Sequence, residues 1–474
     1  MQANSSSGTM IIVLMIIAYI AFTAWLTIKL RSKNPSEFMS GGRATPAMVI
    51  GVLLMAEFIG AKSTVGVAQA AFDQGLAATW AVLSAAIGFV LFGMFLAGRL
   101  HQSGEVTISG AISKSYGPAT QKIVSLIMIY ALLLVNLGNY ISGAASIATI
   151  GHISLPIAAL VIAVVSTFYF MLGGMKSVAY VSLGHTALQY LGVFIVLGTA
   201  LYMTKGIAPL AAKLPGFYFT ASGHMGWSSI IAFALGNIGA VFSTQFIMQA
   251  IASTKDAKAA RHSAYFAACL CIPISIALGL IGVAAKYLFP GMKSLFALPV
   301  FMEHMPVFPA SIVAIGLTAS VFLSVSTVAL GIASLVVRDF YVPHYKPTPD
   351  QEMRTTRVLS LIIGFLPLAL VFLAPGLLKL SFFTRALRLS IALIAMIGYY
   401  MPFIKGELGA VLGLIVAAVA TTIWYIQGDP YGINNMYIAL GSPFIVMVLC
   451  KYLHLNEKFA CRNKLEGTAP SSSE

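Results

Sequence analysis

Charge is scarce in this chain of 474 residues: Asp, Glu, Lys and Arg together make up 9% of it, and only 14 residues are acidic. A soluble domain normally carries about 25% charged residues, so the shortage excludes an ordinary soluble globular domain. Cysteine is also rare, with four residues, and their spacing implies no disulfide framework. Cys269 and Cys271 could bind a soft metal as a pair, but we favour two small buried apolar residues.

Apolar residues take the place of the missing charge and make up 59% of the chain. Runs such as "ISLPIAALVIAVVSTFYFML" are long enough to cross a bilayer, which takes about 20 residues of helix. An open sheet is excluded because lipid offers no partners to its edge groups. The sequence therefore predicts an all-α polytopic membrane protein with about 13 transmembrane helices. The predicted spans are 10–30, 46–70, 75–99, 119–149, 152–172, 179–204, 227–252, 263–290, 308–338, 357–378, 383–403, 407–427 and 433–453.

The positive charge is distributed unevenly between the two sides of the predicted bundle. Sorting the 28 Lys and Arg residues by alternate loops and adjoining span ends assigns 20 to one side and 5 to the other, with three inside spans. Cytoplasmic loops hold the excess of positive charge, so we expect the N-terminus outside and the C-terminus in the cytoplasm. The expected location is a plasma membrane, which in a bacterium is the inner membrane. The net charge of +14 then reflects topology and does not indicate nucleic acid; the oligomeric state is not predicted.

Two predicted spans contain small-residue interruptions of the kind that transporters place near the middle of the membrane. The second span reads "AEFIGAKSTVG" and the seventh reads "ALGNIGAVFSTQF", so Ile-Gly-Ala occurs at 59–61 and again at 238–240. We expect the backbone to open beside Gly60 and beside Gly239, which would free carbonyl groups for ions and polar solutes. A three-residue match also arises easily by chance, because glycine is common in membrane helices.

The ninth span carries hydroxyl groups on one helical face. Ser320, Ser324 and Thr327 recur at i, i+4 and i+7, and Ser334 continues the series. Hydroxyl oxygens are hard ligands that suit a small cation such as Na⁺. For this stripe alone we favour the structural alternative, in which the hydroxyls bond to backbone carbonyls or let helices approach closely.

Four motifs occur in an order that resembles the sodium:solute symporter family, and the resemblance covers essentially the whole chain. The motifs are "NPSEFMSGGR" at 34–43, "GGMKSVAYVSLGHTALQ" at 173–189, "ASTKDAKAARHS" at 252–263 and "SLVVRDFY" at 334–341. The fold that this resemblance implies is a ten-helix inverted-repeat core of the LeuT type, with one helix before it and two after it. Family members couple Na⁺ entry to the uptake of sugars, amino acids, carboxylates, vitamins or nucleobase-like solutes.

The resemblance also implies a division of the single transporter domain, 1–474. The expected parts are a first five-helix repeat at 46–204, a second, inverted repeat at 227–403, two extra helices at 407–453 and a disordered cytoplasmic tail at 454–474.

A Na⁺ site is a further implication of the resemblance. The expected ligands are carbonyl oxygens of Ala56, Ile59 and Ser320 and the hydroxyl of Ser324, with Thr327 or a water in place of a hydroxyl that Leu323 lacks. Where many family members have Trp-Thr-Asp, this chain has Tyr180, Val181 and Ser182, so we expect no second Na⁺. The coupling ion therefore stays open between Na⁺ and H⁺.

Glu57 and Lys62 bracket the interruption in the second span, and Glu57 is the only acidic side chain that we place inside any span. Five residues apart, they would lie about 140° around a continuous helix and could pair only if the helix unwinds between them. One interpretation is a structural ion pair that braces the break. The other is that Lys62 binds a solute carboxylate, while Glu57 helps to hold the driving cation or carries a proton itself.

Several polar and aromatic side chains near the interruptions are candidates for contact with the solute. In addition to Lys62, they are Ser63, Asn136, Asn139, Asn237, Phe242 and Gln245. Amides both donate and accept hydrogen bonds, but each alone is more often a contact between helices. Arg385 and Arg388 could meet an anionic solute at the outer mouth, but we expect them to extend to the outer interface. His185 could relay protons, but we expect it to make an interhelical hydrogen bond.

The sequence as a whole predicts a secondary-active symporter that takes up a small polar solute, a carboxylate or amino-acid-like molecule, driven by a Na⁺ gradient. A proton-coupled symporter that uses Glu57 is the alternative. A transporter-like nutrient sensor is a third possibility, although we find no signalling domain. An intramembrane enzyme is not expected, because no His, Asp and Cys cluster with catalytic spacing lies in the spans.

Overall fold

The chain folds almost entirely into helices in a computed structural model that describes residues 6–32, 34–151, 153–370 and 377–456. The first ten helices are α1 Ser6–Lys29, α2 Pro35–Ser40, α3 Ala47–Phe58, α4 Ala61–Gln74, α5 Trp80–Phe95, α6 Ala97–Gln102, α7 Ile108–Tyr116, α8 Pro118–Gly151, α9 Leu155–Thr204 and α10 Ala208–Lys213. The other nine are α11 Gly226–Ser243, α12 Gln245–Ala252, α13 Ala257–Leu288, α14 Val307–Leu335, α15 Val342–Tyr345, α16 Pro349–Leu370, α17 Leu377–Tyr400, α18 Glu407–Ile426 and α19 Asn435–Tyr452.

Polar capping residues set where several of these helices begin. The side chains of Asn34, Thr107, Asp256 and Asn434 each accept a backbone N–H bond from the first turn of α2, α7, α13 and α19. Such caps satisfy amide groups that have no partner inside the helix. The loops of the bundle are therefore specified locally, outside its apolar spans.

The helices suit a membrane in length and composition. Among the described residues, nine helical segments are long and apolar enough to cross a bilayer, and shorter apolar helices accompany them. Large apolar side chains of α1, such as Met10 and Leu14, are exposed, as expected of a surface that faces lipid. The predicted polytopic all-α fold is confirmed, while the count of 13 spans and the division into repeats stay predictions. The predicted disordered tail lies outside the described residues from 457 onward.

The fifth and sixth predicted spans are two helical segments that meet directly at Gly174 without a loop between them, and α9 includes both. The whole of α9 is continuous except at Gly174, whose φ of 64° and ψ of −169° are not helical. An added Cβ at Gly174 would lie 2.9 Å from Cα of Phe38, so the kink and the close approach of α2 both require glycine. The glycine pair of the motif at 173–189 therefore produces a kink.

The centre of the bundle is α14, whose residues are almost all buried. It packs against α8 and α9, and it also contacts α1, α3, α4 and α12. The helices α17, α18 and α19 pack against one another, and α17 packs against α8 and α11. This arrangement brings both interrupted segments, α3–α4 and α11–α12, against the same central helix.

Candidate functional site

The second predicted span is broken where the sequence predicted it. Helix α3 ends at Phe58 and α4 begins at Ala61, and between them Ile59 (φ −103°, ψ 54°) and Gly60 (φ −73°, ψ −178°) leave the helical conformation. An added Cβ at Gly60 would lie 2.0 Å from Oγ of Ser324. The expected break beside Gly60 is therefore confirmed, and glycine is required there because α14 approaches so closely.

Hydroxyl groups of α4 donate to carbonyls on both sides of the break, and one of these carbonyls, that of Gly60, also accepts the Thr64 amide. Ser63 Oγ donates to the carbonyl of Phe58 at 2.7 Å, and Thr64 Oγ1 donates to the carbonyl of Gly60 at 3.0 Å. An unpaired carbonyl in a membrane interior costs on the order of several kcal/mol, because lipid offers it no hydrogen-bond donor. Ser63 thus helps to form the break, and its hydroxyl is not free for a solute in this structure.

The amide of Gln189 is a member of the site that sequence analysis missed. Its Nε2 donates to the carbonyl of Ile59 and, at 2.9 Å, to Oγ1 of Thr64. Gln189 lies on the second half of α9 and is the last residue of the motif at 173–189. Its place at the end of that motif is the only signal that could have suggested a role.

Oxygen atoms of two helices lie at the break, and one of them, the buried Ser324 Oγ, has no hydrogen-bond partner among the described residues. In a continuous helix the Gly60 amide would donate to the carbonyl of Ala56, but the described backbone shows no such bond. Ser320 carries a carbonyl oxygen 3.7 Å from the position of an added Cβ at Gly60. These hard oxygens, with the carbonyl of Ile59, fit a small cation.

Thr327 and Leu323 lie on α14 near the predicted ligands. Thr327 Oγ1 donates to the carbonyl of Ser324 at 3.0 Å, as hydroxyls in membrane helices often do. Leu323 lines a small cavity with Tyr169, His185 and other residues. The Thr327 oxygen keeps lone pairs for a cation, so its role as a replacement for the hydroxyl that Leu323 lacks stays a prediction.

The seventh predicted span is also broken, but not beside Gly239. Helix α11 continues past Gly239 to Ser243, and the break lies at Thr244 (φ −61°, ψ 127°), before Gln245. An added Cβ at Gly239 would lie 2.7 Å from Cα of Leu389, so glycine at this position allows α17 to pack closely against α11. The hydroxyls of Ser243 and Thr244 donate back to carbonyls four residues earlier, which competes with the helical backbone bonds. The predicted position was wrong by five residues.

Arg388 of α17 lies at this second break. Its Nη1 donates to Oγ1 of Thr244 at 2.9 Å, and its Nε donates to the carbonyl of Thr384 at 3.1 Å. The side chain is only 6% exposed, so the expectation that it extends to the outer interface was wrong. Arg388 interacts electrostatically with Glu57, which is partly buried in the last turn of α3. Glu57 makes no salt bridge with a described residue, and the side chain of Lys62 lies outside the described residues.

Asn136 keeps unused hydrogen-bonding capacity inside the bundle. It is fully buried on α8, and neither polar atom of its amide has a partner among the described residues. Leu132 lies beside Gly331 and Gly143 lies beside Val321, which places Asn136 against the middle of α14. Its amide is therefore at the depth expected of a solute contact.

The other predicted solute contacts serve the packing of helices. Asn237 donates to the carbonyl of Ala81 at 2.8 Å and to Ser84 Oγ at 2.7 Å, which fastens α11 to α5. Phe242 stacks near Phe92 of α5, with ring centroids 5.9 Å apart. Asn139 is partly buried on α8.

Gln245 lies away from the solute candidates. Its Oε1 accepts the Ile108 amide at 2.9 Å, and its Nε2 donates to the carbonyl of Val106 at 3.0 Å and to Ser334 Oγ at 2.9 Å. All of these bonds join α12 to the start of α7 and to the last turns of α14. The geometry therefore favours a structural role for Gln245 over contact with the solute.

A buried carboxylate beside Gln245 was also missed. Asp339, in the π-helical segment that follows α14, accepts hydrogen bonds from the side chains of Thr107, Ser109, Gln121 and Ser125. A carboxylate can accept four such bonds, and a buried charge needs them. With Gln245, it fixes the end of α14 to α7 and α8.

We expect Asp339→Asn to destabilise the protein by about 2–4 kcal/mol, because an amide nitrogen would face donors that now bond to a carboxylate oxygen. The midpoint of thermal unfolding of the protein in detergent measures the effect. Asp350→Asn, at an exposed position on α16, is the matched control and should melt like the wild type. Equal melting of the two variants would contradict the assigned role of Asp339.

His185 is a buried residue of α9 that faces the first helix, α1. It shares a 2.7 Å hydrogen bond between its Nδ1 and the hydroxyl of Tyr19, while its Nε2 has no partner among the described residues. The expected interhelical hydrogen bond is therefore confirmed.

Broken helices that expose oxygens against a central helix define a membrane transporter of the LeuT-like fold. The chain belongs to the sodium:solute symporter family, whose model matches residues 38–416. It is therefore a transporter and not an enzyme. The substrate-bound, outward-open structure of a Na⁺-coupled sialic acid symporter has the same fold, with a TM-score of 0.82 at 17% identity over 94% of this chain and 97% of that one.

Curated relatives are similar at low identity. The human high-affinity choline transporter is 23% identical over 361 residues, which cover 70% of this chain and 62% of the relative. The osmoregulated proline transporter of Bacillus subtilis is 24% identical over 454 residues, which cover 89% of this chain and 88% of the relative. The chain thus matches less than two thirds of the length of the human choline transporter.

Proposed function

We propose that this chain is a Na⁺-driven symporter that takes up a small carboxylate or amino-acid-like solute by alternating access. The observation that carries the proposal is the buried, unpartnered hydroxyl of Ser324 directly opposite the break at Gly60. A hard oxygen in that position is costly unless a guest uses it. The family and the relatives support a sodium-coupled uptake of a small molecule.

The proposed cation site consists of oxygen atoms from both sides of the break. The carbonyls of Ala56, Ile59 and Ser320 and the hydroxyl of Ser324 would hold Na⁺. The solute would bind beside them, with Lys62 and Asn136 as polar contacts. The cation site and the solute site would meet at one break, so the ion and the solute would stabilise the same closed arrangement of α3, α4 and α14.

The proposed topology has the N-terminus outside and the C-terminus in the cytoplasm of a plasma membrane, the inner membrane if the host is a bacterium. The asymmetry of Lys and Arg supports this orientation. The bonds of Asp339 and Gln245 would then lie on the cytoplasmic side.

Replacing external Na⁺ by K⁺ at fixed pH should reduce uptake into proteoliposomes by about tenfold or more, because K⁺ is a larger ion than the proposed Na⁺ site accommodates. Labelled small carboxylates and amino acids, including L-proline, are the probes. In both conditions the K⁺ concentration inside is set equal to that outside, so that valinomycin clamps the membrane potential at zero.

A proton-coupled symporter is the second candidate, favoured by one observation. Leu323 removes a hydroxyl from the expected Na⁺ ligands, and the partly buried Glu57 at the same break could carry a proton. Full uptake driven by a proton gradient without Na⁺ would select this candidate and reject the first.

A further inference from the structure

Glu57 and Arg388 are charges of opposite sign at the two breaks, and the proposed Na⁺ ligands need neither. Glu57 lies in the last turn of α3, and Arg388 bonds to Thr244, which separates α11 from α12. They interact electrostatically, yet among the described residues no oxygen of Glu57 lies within the 4.0 Å of a salt bridge with Arg388. The two charges therefore do not form a direct ion pair, and each is left to bind a group of opposite sign.

Aromatic contacts show independently that the two breaks lie side by side. Phe58, next to Glu57, packs on Phe89 with ring centroids 5.3 Å apart, and Phe242, two residues before Thr244, packs on Phe92. Phe89 and Phe92 are one turn apart on α5, a rise of about 4.5 Å. The two breaks therefore share one wall, which is aromatic.

The guanidinium of Arg388 retains donors that the protein does not use. Its Nε and one Nη1 hydrogen have acceptors, and among the described residues its remaining N–H groups have none. An arginine fork is pre-organised for two parallel bonds to a carboxylate. A buried cation with unused donors is costly on its own, and a carboxylate guest would remove that cost.

The carboxylate of Glu57 has the complementary capacity. It is partly exposed within the bundle, and no hydrogen bond to it from a described residue is present. A carboxylate in this position accepts bonds from an ammonium group or attracts a quaternary one, and the neighbouring aromatic rings favour the same charge.

Resting on the proposed symport, we propose that the transported solute is a small zwitterion, whose carboxylate binds Arg388 and whose ammonium group lies against Glu57. Arg388 and Glu57 thus determine specificity at opposite ends of one binding site. The aromatic wall formed by Phe58, Phe89, Phe92 and Phe242 covers the carbon skeleton between them.

The test measures binding by thermal shift of the purified full chain in saturating Na⁺. The zwitterions are the common amino acids and glycine betaine. For betaine, choline lacks the carboxylate and 3,3-dimethylbutyrate lacks the positive charge; for L-proline, the matched compounds are L-prolinamide and cyclopentanecarboxylate. We expect at least one zwitterion to bind the wild type about tenfold or more tightly than both of its matched compounds.

Substitutions test which residue binds each charged end of the solute. Arg388→Gln should reduce zwitterion affinity to that of the matched cation, and Glu57→Gln should reduce it to that of the matched anion. Arg385→Gln, one turn from Arg388 with its guanidinium over the ring of Phe233, is the control and should keep the wild-type preference. If a single variant does not fold, the double variant Glu57→Gln/Arg388→Gln removes both charges together and should bind all three compounds equally.

The proposal is overturned if no zwitterion binds the wild type, if a matched cation or anion binds as well as the zwitterion, or if Lys62→Gln rather than Arg388→Gln removes the preference for the carboxylate. These failures differ from failure of the proposed symport. Uptake of a cation or neutral solute that still requires Na⁺ would leave the symport intact and reject only the zwitterion.

Discussion

Gly60→Ala should abolish Na⁺ binding. The added Cβ would lie 2.0 Å from Oγ of Ser324 and 3.1 Å from its Cβ, so α14 must move away or the hydroxyl must turn out of the site. Either change separates the oxygens of the break from those of α14. Overpacking of this kind also costs roughly 1–3 kcal/mol of stability. Na⁺ titrations by thermal shift, against K⁺ at equal ionic strength, measure the loss.

Gly66→Ala is the control for this prediction. It lies on the same helix, α4, and an added Cβ there meets nothing within 4 Å. Gly66→Ala should bind Na⁺ like the wild type. The double variant Gly60→Ala/Ser324→Ala removes the atom at 2.0 Å, so it should regain stability without regaining Na⁺ binding. Normal Na⁺ binding by Gly60→Ala would show that the break and α14 do not form one cation site.

The outcome at the two breaks shows what a sequence can predict about such a site. Gly60 was identified correctly because the break and the close contact with α14 fall on the same residue. In the seventh span these two functions are separated: Gly239 makes the close contact with Leu389, while Thr244 breaks the helix. Glycine marks close approach more directly than it marks unwinding, because hydroxyl side chains also interrupt a helix.

Gln189 and Asp339 were missed, and Arg388 was wrongly expected at the outer interface, for a different reason. Each is a single polar residue in an apolar helix or at its end, and the side of the bundle that it faces depends on packing between distant helices. Arg388 is buried because α17 packs against α11, and Gln189 reaches Ile59 because the second half of α9 lies beside α3. Hydropathy locates the spans along the chain, but it does not predict which side of each helix faces the interior of the bundle.

Ser324→Ala should weaken Na⁺ binding by roughly 10- to 100-fold, since a bond to a charged group contributes about 1.5–3 kcal/mol. The substitution removes one oxygen and leaves the packing against Gly60 intact, so the protein should fold normally. The carbonyl ligands would remain, which is why some binding is expected to persist. The apparent affinity for Na⁺, from the same titrations, is the measurement.

Ser311→Ala provides the comparison on the same helix. Ser311 is also buried in α14, but its hydroxyl donates to the carbonyl of Val307 at 2.8 Å and is far from the break. Loss of Na⁺ affinity in Ser324→Ala alone would assign the cation to the break. Equal affinities in both variants would instead favour the proton-coupled alternative, in which Glu57 carries the charge and the hydroxyl of Ser324 binds no ion.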